Sequence, residues 1–174
     1  MSGAPVIEDV FAYDGRLVRA AWRPGPWQPP RELVTQASGL CYTSAGEVLL
    51  VSQDGAHWAL PGGHLEAGET LEETLRREVR EEACAEVLDC AYLGCQEIQE
   101  RDGDRILPSY FQTRYWARVS LGRFEPAHET RFRRMVAPGR VKAVLGWHSS
   151  AILDHLLDLT LAIEGALAAR ADRR

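Results

Sequence analysis

Three glutamates, Glu78, Glu81 and Glu82, crowd into five consecutive positions, with Arg77 directly before them. At 100° per residue on a helix, their carboxylates fall within one arc of about 100°. Like charges at such spacings destabilise a helix by roughly 0.2–0.5 kcal/mol per pair, and by more where water is partly excluded. The ordinary remedy is pairing with Arg77 and Arg80 on a solvated face. The preceding segment, Trp58-Ala59-Leu60-Pro61-Gly62-Gly63, suggests a different one. It is a stiff turn into two glycines, where the backbone can approach an ion and lend it a carbonyl oxygen. Three carboxylates with one carbonyl make a hard, oxygen-only donor set. By ligand type that set suits Mg²⁺ or Mn²⁺ rather than zinc.

The element that must present these groups is legible from its own signals. Thr70-Leu71-Glu72-Glu73 is a capping box, in which the Thr70 hydroxyl accepts from the Glu73 amide and the Glu73 carboxylate reaches back to Thr70. Leu71, Leu75, Val79 and Ala83 then recur every four residues as a buried stripe. Together they predict a helix over Leu71 to Ala83, with the glutamates at the edge of the core. Charge singles out the same stretch. Between Gly63 and Glu86 lie eight glutamates against three arginines, a balance of -5 equal to the net charge of the whole chain. A compact acidic block in neutral surroundings calls for a cation, and it excludes the basic footprint of a nucleic-acid-binding protein.

From Gly63 the chain reads GHLEAGETLEETLRREVREEACA, which resembles the Nudix box, G-x5-E-x7-R-E-U-x-E-E-x-G-U with U a bulky aliphatic residue. Gly63, Glu69, Arg77, Glu78, Val79, Glu81 and Glu82 match. Six identical positions at ordinary residue frequencies arise by chance on the order of 10⁻⁷ per starting point. The departures are Cys84 at the box glycine and Ala85 at the final aliphatic position. A glycine there would cap the helix with positive φ, and another residue costs about 1 kcal/mol or shifts the cap.

The resemblance implies the Nudix sandwich fold and hydrolysis of a nucleoside diphosphate linked to another moiety. It implies that Glu78, Glu81 and Glu82 bind divalent cations with the Gly63 carbonyl as a further ligand. Arg77 would orient the glutamates, itself held by Glu69. Glu129 is placed like a later family glutamate that can act as base, with Glu125 or a helix glutamate as alternatives. Arg131, Arg133 and Arg134 can receive phosphates or form a basic edge. Trp27, Tyr110 and Trp116 read as core aromatics before base-stacking ones, and His64 has no assigned role. Neither the proline nor the tyrosine that marks particular substrate classes shortly after the box is evident; Pro108 and Tyr110 fall later. The competing reading is a Nudix-like domain that binds a nucleotide metabolite without turnover, which an intact glutamate set disfavours.

The rest of the chain supplies a frame for this helix. With 174 residues, 45% of them hydrophobic and 26% charged, it suits one globular domain able to bury its own core. Val6–Tyr13 and Leu17–Trp22 form a hairpin about Asp14-Gly15, followed by a proline-rich ordered loop at 23–30. Strands are predicted at Leu33–Tyr42, Glu47–Ser52, Val87–Ile98, Ser109–Val119 and Arg140–Trp147, with a turn at Asp102-Gly103-Asp104. A final helix over 149–170, capped by Ser149 or Ser150, carries two apolar seams, Ile152/Leu156/Leu159/Ile163 and Leu153/Leu157/Leu161. The second can cover a sheet or face another subunit, so a homodimer is one expected arrangement. The expected architecture is α+β, an α/β/α sandwich on a mixed sheet: an N-terminal hairpin and loop over 1–32, a core over 33–148 and the C-terminal helix. Cys41, Cys84, Cys90 and Cys95 lack zinc-site spacing and read as small core residues. No apolar run is long enough to span a bilayer, and Met1–Asp9 lacks the pattern of a secretory signal, so the expected location is cytoplasmic. The expected partner is a small nucleotide or diphosphate, with neither a membrane nor a nucleic-acid polymer.

Overall fold

The computed structural model describes residues 6–171 and 173; the N-terminal five, on which part of the reading about a secretory signal falls, lie outside the described residues. In chain order the strands and helices are β1 (Glu8–Tyr13), β2 (Arg16–Pro24), β3 (Val34–Tyr42), β4 (Val48–Ser52), β5 (Gly62–Gly63), α1 (Leu71–Ala83), β6 (Ala85–Asp102), β7 (Arg105–Ile106), β8 (Tyr110–Leu121), β9 (Phe132–Val136), α2 (Val141–Leu145) and α3 (Ala151–Ala171). The strands make one mixed sheet in the order β1-β2-β6-β8-β3-β4-β9, with β5 added to β3 and β7 to β6. The β3–β8 pair is parallel and the other ladders are antiparallel.

Strand alternation divides the core between the two faces. Ala37, Cys41, Leu49, Val51, Tyr115 and Ala117 pack with Leu75, Val79 and Ala83 of α1. On the other face Leu40, Tyr42, Leu50 and Trp116 pack with Val141 and Leu145 of α2 and with Ile152, Leu153 and Leu156 of α3. This is the three-layer α+β arrangement that the sequence predicts. Thr160, buried within α3, shares a 2.8 Å hydrogen bond with Tyr42, and Glu164 accepts from Trp116 Nε1 at 2.8 Å. These polar contacts, with the Arg118–Glu164 ion pair, set the position of α3 on the sheet. The Ser150 hydroxyl accepts from the Leu153 amide, as an N-cap should. Most of the second seam turns inward: Leu153 is buried, Leu157 half-buried, and Leu161 exposed.

One expectation about the C-terminal third needs correction. Arg140–Trp147 is not a strand. A 3-10 turn at Pro138–Arg140 leads into α2, which ends where Gly146 takes φ +73°. Val141 and Leu145, four residues apart, both face the core, which is a helical spacing hidden in a β-branched composition. The missing strand is instead β9, where the basic run pairs with β4 from Val48↔Val136 to Ser52↔Phe132. Its arginines blunt an edge strand. The first hairpin, the helix limits and the other strands agree with the sequence to within a few residues, β6 running on to Asp102. Trp27 does not join the core: it is half exposed and lies tilted against Phe111 at 5.7 Å.

At the end of α1, Cys84 itself takes the left-handed conformation, φ 48° and ψ 47°, so the cap does not shift. Arg133 of β9 donates to the carbonyl oxygens of Ala83 and Cys84 at 2.7 and 3.2 Å, satisfying orphan acceptors of the last turn. The strain of a β-carbon in this conformation remains. Cys84→Gly is therefore expected to stabilise the protein by about 1 kcal/mol, raising Tm by about 2–4 °C in a thermal melt.

Candidate active site

The site forms where β5 touches β3. β5 contains only Gly62 and Gly63, which pair with Ser38 and Ala37 respectively. Gly62 does not tolerate a side chain, and one at Gly63 would displace the Glu78 carboxylate. At Gly62, with φ +145°, a Cβ would lie 2.3 Å from Ser38 Cβ; at Gly63 it would lie 2.3 Å from Glu78 Oε1. The two glycines thus let the helix carboxylates press against the backbone. Gly62 N–H donates to Glu82 Oε2 at 2.9 Å. The capping box at Thr70 and Glu73 is present as expected and sets the start of the helix that delivers these groups.

Arg77 occupies the centre of the cluster. Its Nε donates to Glu69 Oε1 at 2.7 Å and its Nη2 to Glu69 Oε2 at 3.2 Å, a two-pronged pairing. Nη1 donates to Glu78 Oε1 at 2.9 Å and to Glu81 Oε2 at 3.2 Å, and Nη2 also reaches the His64 carbonyl at 2.8 Å. Glu69 is held in turn by the Thr74 hydroxyl and the Glu66 amide. Hydrogen bonding from Arg77 holds the Glu69 carboxyl low, at about 2. Arg80 does not enter the cluster; it pairs with Glu86.

Glu82 is the least compensated member. Burial, followed by the charges of Glu78, Glu81 and Glu129, pushes its carboxyl up to about 7 against the opposing hydrogen bond from Gly62. Glu129 bears on Glu82 from the loop before β9, and its Oε2 accepts from Gln53 Nε2 at 3.1 Å. Glu125 pairs with Arg123 instead. The arginines near Glu129 divide: Arg133 caps α1, Arg134 lies over the Trp58 ring at 5.8 Å, and Arg131 is exposed. Tyr110 donates to Glu100, and Trp116 is core.

The donor set is all oxygen, which fits Mg²⁺ or Mn²⁺ in chemistry. In geometry, Arg77 bridges Glu78 and Glu81 while Glu82 turns to Gly62. Among the described residues no three His, Cys, Asp or Glu side chains are grouped so as to hold a metal ion. The four cysteines are free thiols, Cys41 and Cys95 buried.

A family model described as the NUDIX domain matches residues 32–157, most of the chain and all of this site. The chain belongs to the NUDIX domain family. A comparison with curated proteins finds no match. Among solved structures the Nudix chain is similar to a point mutant of a Bacillus subtilis pyrophosphohydrolase, at 23% identity and TM-score 0.54 over 73% of this chain and 76% of that one. It is similar to a MutT protein from Bacillus halodurans, at 20% identity and TM-score 0.55 over 70% and 80%. A NUDIX hydrolase from Nitrosomonas europaea gives 16% identity and TM-score 0.54 over 72% and 86%. These likenesses establish the fold. Among the described residues no helix is long and apolar enough to cross a membrane.

Sequence reasoning missed a group on the face of the sheet away from α1, namely Ser38, Gln96, Gln112 and Arg114. The available signal was an arginine within the apolar run Tyr110–Val119.

The Glu69–Arg77 pairing carries a pH signature. A carboxyl held below its unfolded value contributes stability that is present above the ordinary carboxylate range and is lost as pH falls toward the folded value. Glu69→Gln is expected to lower Tm at pH 7, with the gap closing as pH falls from about 4.5 toward 2. Because Arg77 then loses its anchor, activity is expected to drop roughly 10–100-fold. Melts across pH, paired with kinetics, check both.

Proposed function

We propose that this chain is a divalent-metal-dependent Nudix pyrophosphohydrolase. Its substrate would be a nucleoside diphosphate linked to another moiety, and its location the cytoplasm. The observation that carries this reading is the packing of Glu78 and Glu81 around Arg77, with Glu82 held on the Gly62 amide and Glu78 set against Gly63. So costly a concentration of negative charge has a use when cations enter it. Glu78, Glu81 and Glu82, with the Gly63 carbonyl, would hold Mg²⁺ or Mn²⁺. Bound ions of this kind neutralise the diphosphate, polarise its phosphoryl oxygens and lower the pKa of a bound water.

The chain's own residues do the remaining work. Arg77, anchored on Glu69, sets the directions of Glu78 and Glu81. Glu82, hydrogen-bonded to Gly62, keeps its second oxygen free for a ligand. Glu129 is the base that takes a proton from the attacking water. It lies near enough to Glu82 to act on its charge, and Gln53 orients it. The raised affinity of Glu82 for a proton accords with a site built to receive positive charge.

The test is a screen of nucleoside triphosphates, nucleotide sugars, ADP-ribose and dinucleoside polyphosphates with Mg²⁺ and with Mn²⁺. Phosphate-containing products are expected only with metal present. Glu82→Gln is expected to cost on the order of 10²-fold or more in kcat while retaining the fold. Turnover in excess chelator sinks the reading. Nucleotide-induced thermal stabilisation without product from any substrate would assign the chain to metabolite binding instead.

A further inference from the structure

Three buried polar side-chain atoms find no hydrogen-bond partner among the described residues: Trp22 Nε1, Gln96 Oε1 and Arg114 Nε. They are not scattered. Trp22 stands opposite Gln96 across β2–β6, and Gln96 opposite Gln112 across β6–β8. Gln112 Oε1 accepts from Arg114 Nη2 at 2.9 Å, and Arg114 stands opposite Ser38 across β8–β3. Ser38 is in turn paired with Gly62, whose amide holds Glu82. Residues directly opposed on a ladder project from the same face. One polar band therefore crosses the sheet and ends at the glycine beside the carboxylates.

Arg114 is the member of this band that ordinary packing does not explain. It is 4% exposed, yet every group it hydrogen-bonds is neutral: Ser38 Oγ at 2.9 Å, the Thr113 carbonyl at 3.1 Å and Gln112. No described carboxylate forms a salt bridge with it. A buried water can satisfy a lone N–H, but it does not neutralise a guanidinium. Buried charges persist where they are paired, and this one has no partner of its own among the described residues. Backbones of neighbouring strands lie about 4.8 Å apart, so Arg114 sits two strand spacings from Gly62, with its side chain reaching back to Ser38. That separation suits a group next along the substrate from a diphosphate held at Glu78, Glu81 and Glu82. Half-buried Gln112 lies at the solvent end of the band.

We propose that Arg114 is a specificity-determining residue that seats a second anionic group of the substrate, carried by the moiety beyond the diphosphate. This rests on the pyrophosphohydrolase reading and narrows it. Preferred substrates carry a phosphate or carboxylate in that moiety, as a nucleoside triphosphate or a nucleotide-linked sugar acid does. Nucleotides linked to a neutral sugar leave Arg114 uncompensated and react more slowly.

The test uses two charged probes, GTP and UDP-glucuronate, and two neutral-moiety probes, UDP-glucose and ADP-ribose. Binding is measured by calorimetry and turnover by kcat/KM, for wild type, Arg114→Met and Arg114→Lys. Wild type is expected to favour UDP-glucuronate over UDP-glucose at least about tenfold in both readouts. Arg114→Met is expected to abolish that preference while leaving the neutral probes within about threefold, and Arg114→Lys to retain part of it. Removing an uncompensated buried charge is expected to leave the Tm of Arg114→Met equal to or above wild type. Equal losses on charged and neutral probes together with a lowered Tm would make Arg114 a structural cation and overturn the proposal, as would a wild type that binds both sugar nucleotides equally. Charge-selective binding lost in Arg114→Met, but without turnover of any probe, upholds the anion seat and overturns the pyrophosphohydrolase reading instead.

Discussion

Carboxylates gathered along one side of a short helix repel each other, and much of the local structure answers that repulsion. Arg77 is the main answer. One guanidinium reaches Glu69, Glu78 and Glu81, and its pairing with Glu69 pins it so that it cannot follow either helix glutamate away. The remaining stability of α1 is apolar. Leu75, Val79 and Ala83 are fully buried, and a large aliphatic side chain contributes about 1.5–3 kcal/mol on burial, which outweighs pairwise repulsions of a few tenths. Glu82 falls outside the reach of Arg77 and has a single backbone donor. Its burial, with the neighbouring carboxylates, pushes its carboxyl up toward neutrality.

The strand next to this helix serves two surfaces at once. One edge of β3 is divided, with Cys41 and Tyr42 pairing to β4 and Ala37 and Ser38 pairing to β5. A two-residue strand without side chains is narrow enough for the carboxylates to meet it from the α1 side. Ser38 and Arg114 lie on the other face of the same sheet. Charge of one sign on α1 and an uncompensated cation on β8 are thus separated by Gly62 and the width of β3. In the proposed reaction the substrate spans this step, its diphosphate on one side and its second moiety on the other.

A local defect in α1 is mended from far along the chain. Cys84 occupies a conformation that glycine adopts without strain, and Arg133 satisfies the carbonyls exposed by that ending. The repair comes from β9, which the sequence presents only as a basic run. Its alternation of Phe132, Arg134 and Val136 with Arg133 and Met135 is too mixed in polarity to announce a strand. Pairing with β4 makes it one, and the same pairing brings Arg133 to the end of the helix.

What could be read in advance follows from how far each determinant extends along the chain. The limits of α1, its capping box, the Asp14-Gly15 hairpin and the glutamate cluster depend on hydrogen bonds and side-chain periods within a few residues. The order of residues alone settles these features, and with them the family. Strand identity at Phe132–Val136 and the helical state of Val141–Leu145 depend on which surface each segment meets, and composition misleads there. The polar band through Trp22, Gln96, Arg114 and Ser38 lies furthest from local reading. Its members come from four strands and become neighbours only through the order β2-β6-β8-β3. Whether an arginine is solvated or sealed beside neutral groups is set by the strands and helices that cover it, and no stretch of neighbouring residues encodes that enclosure.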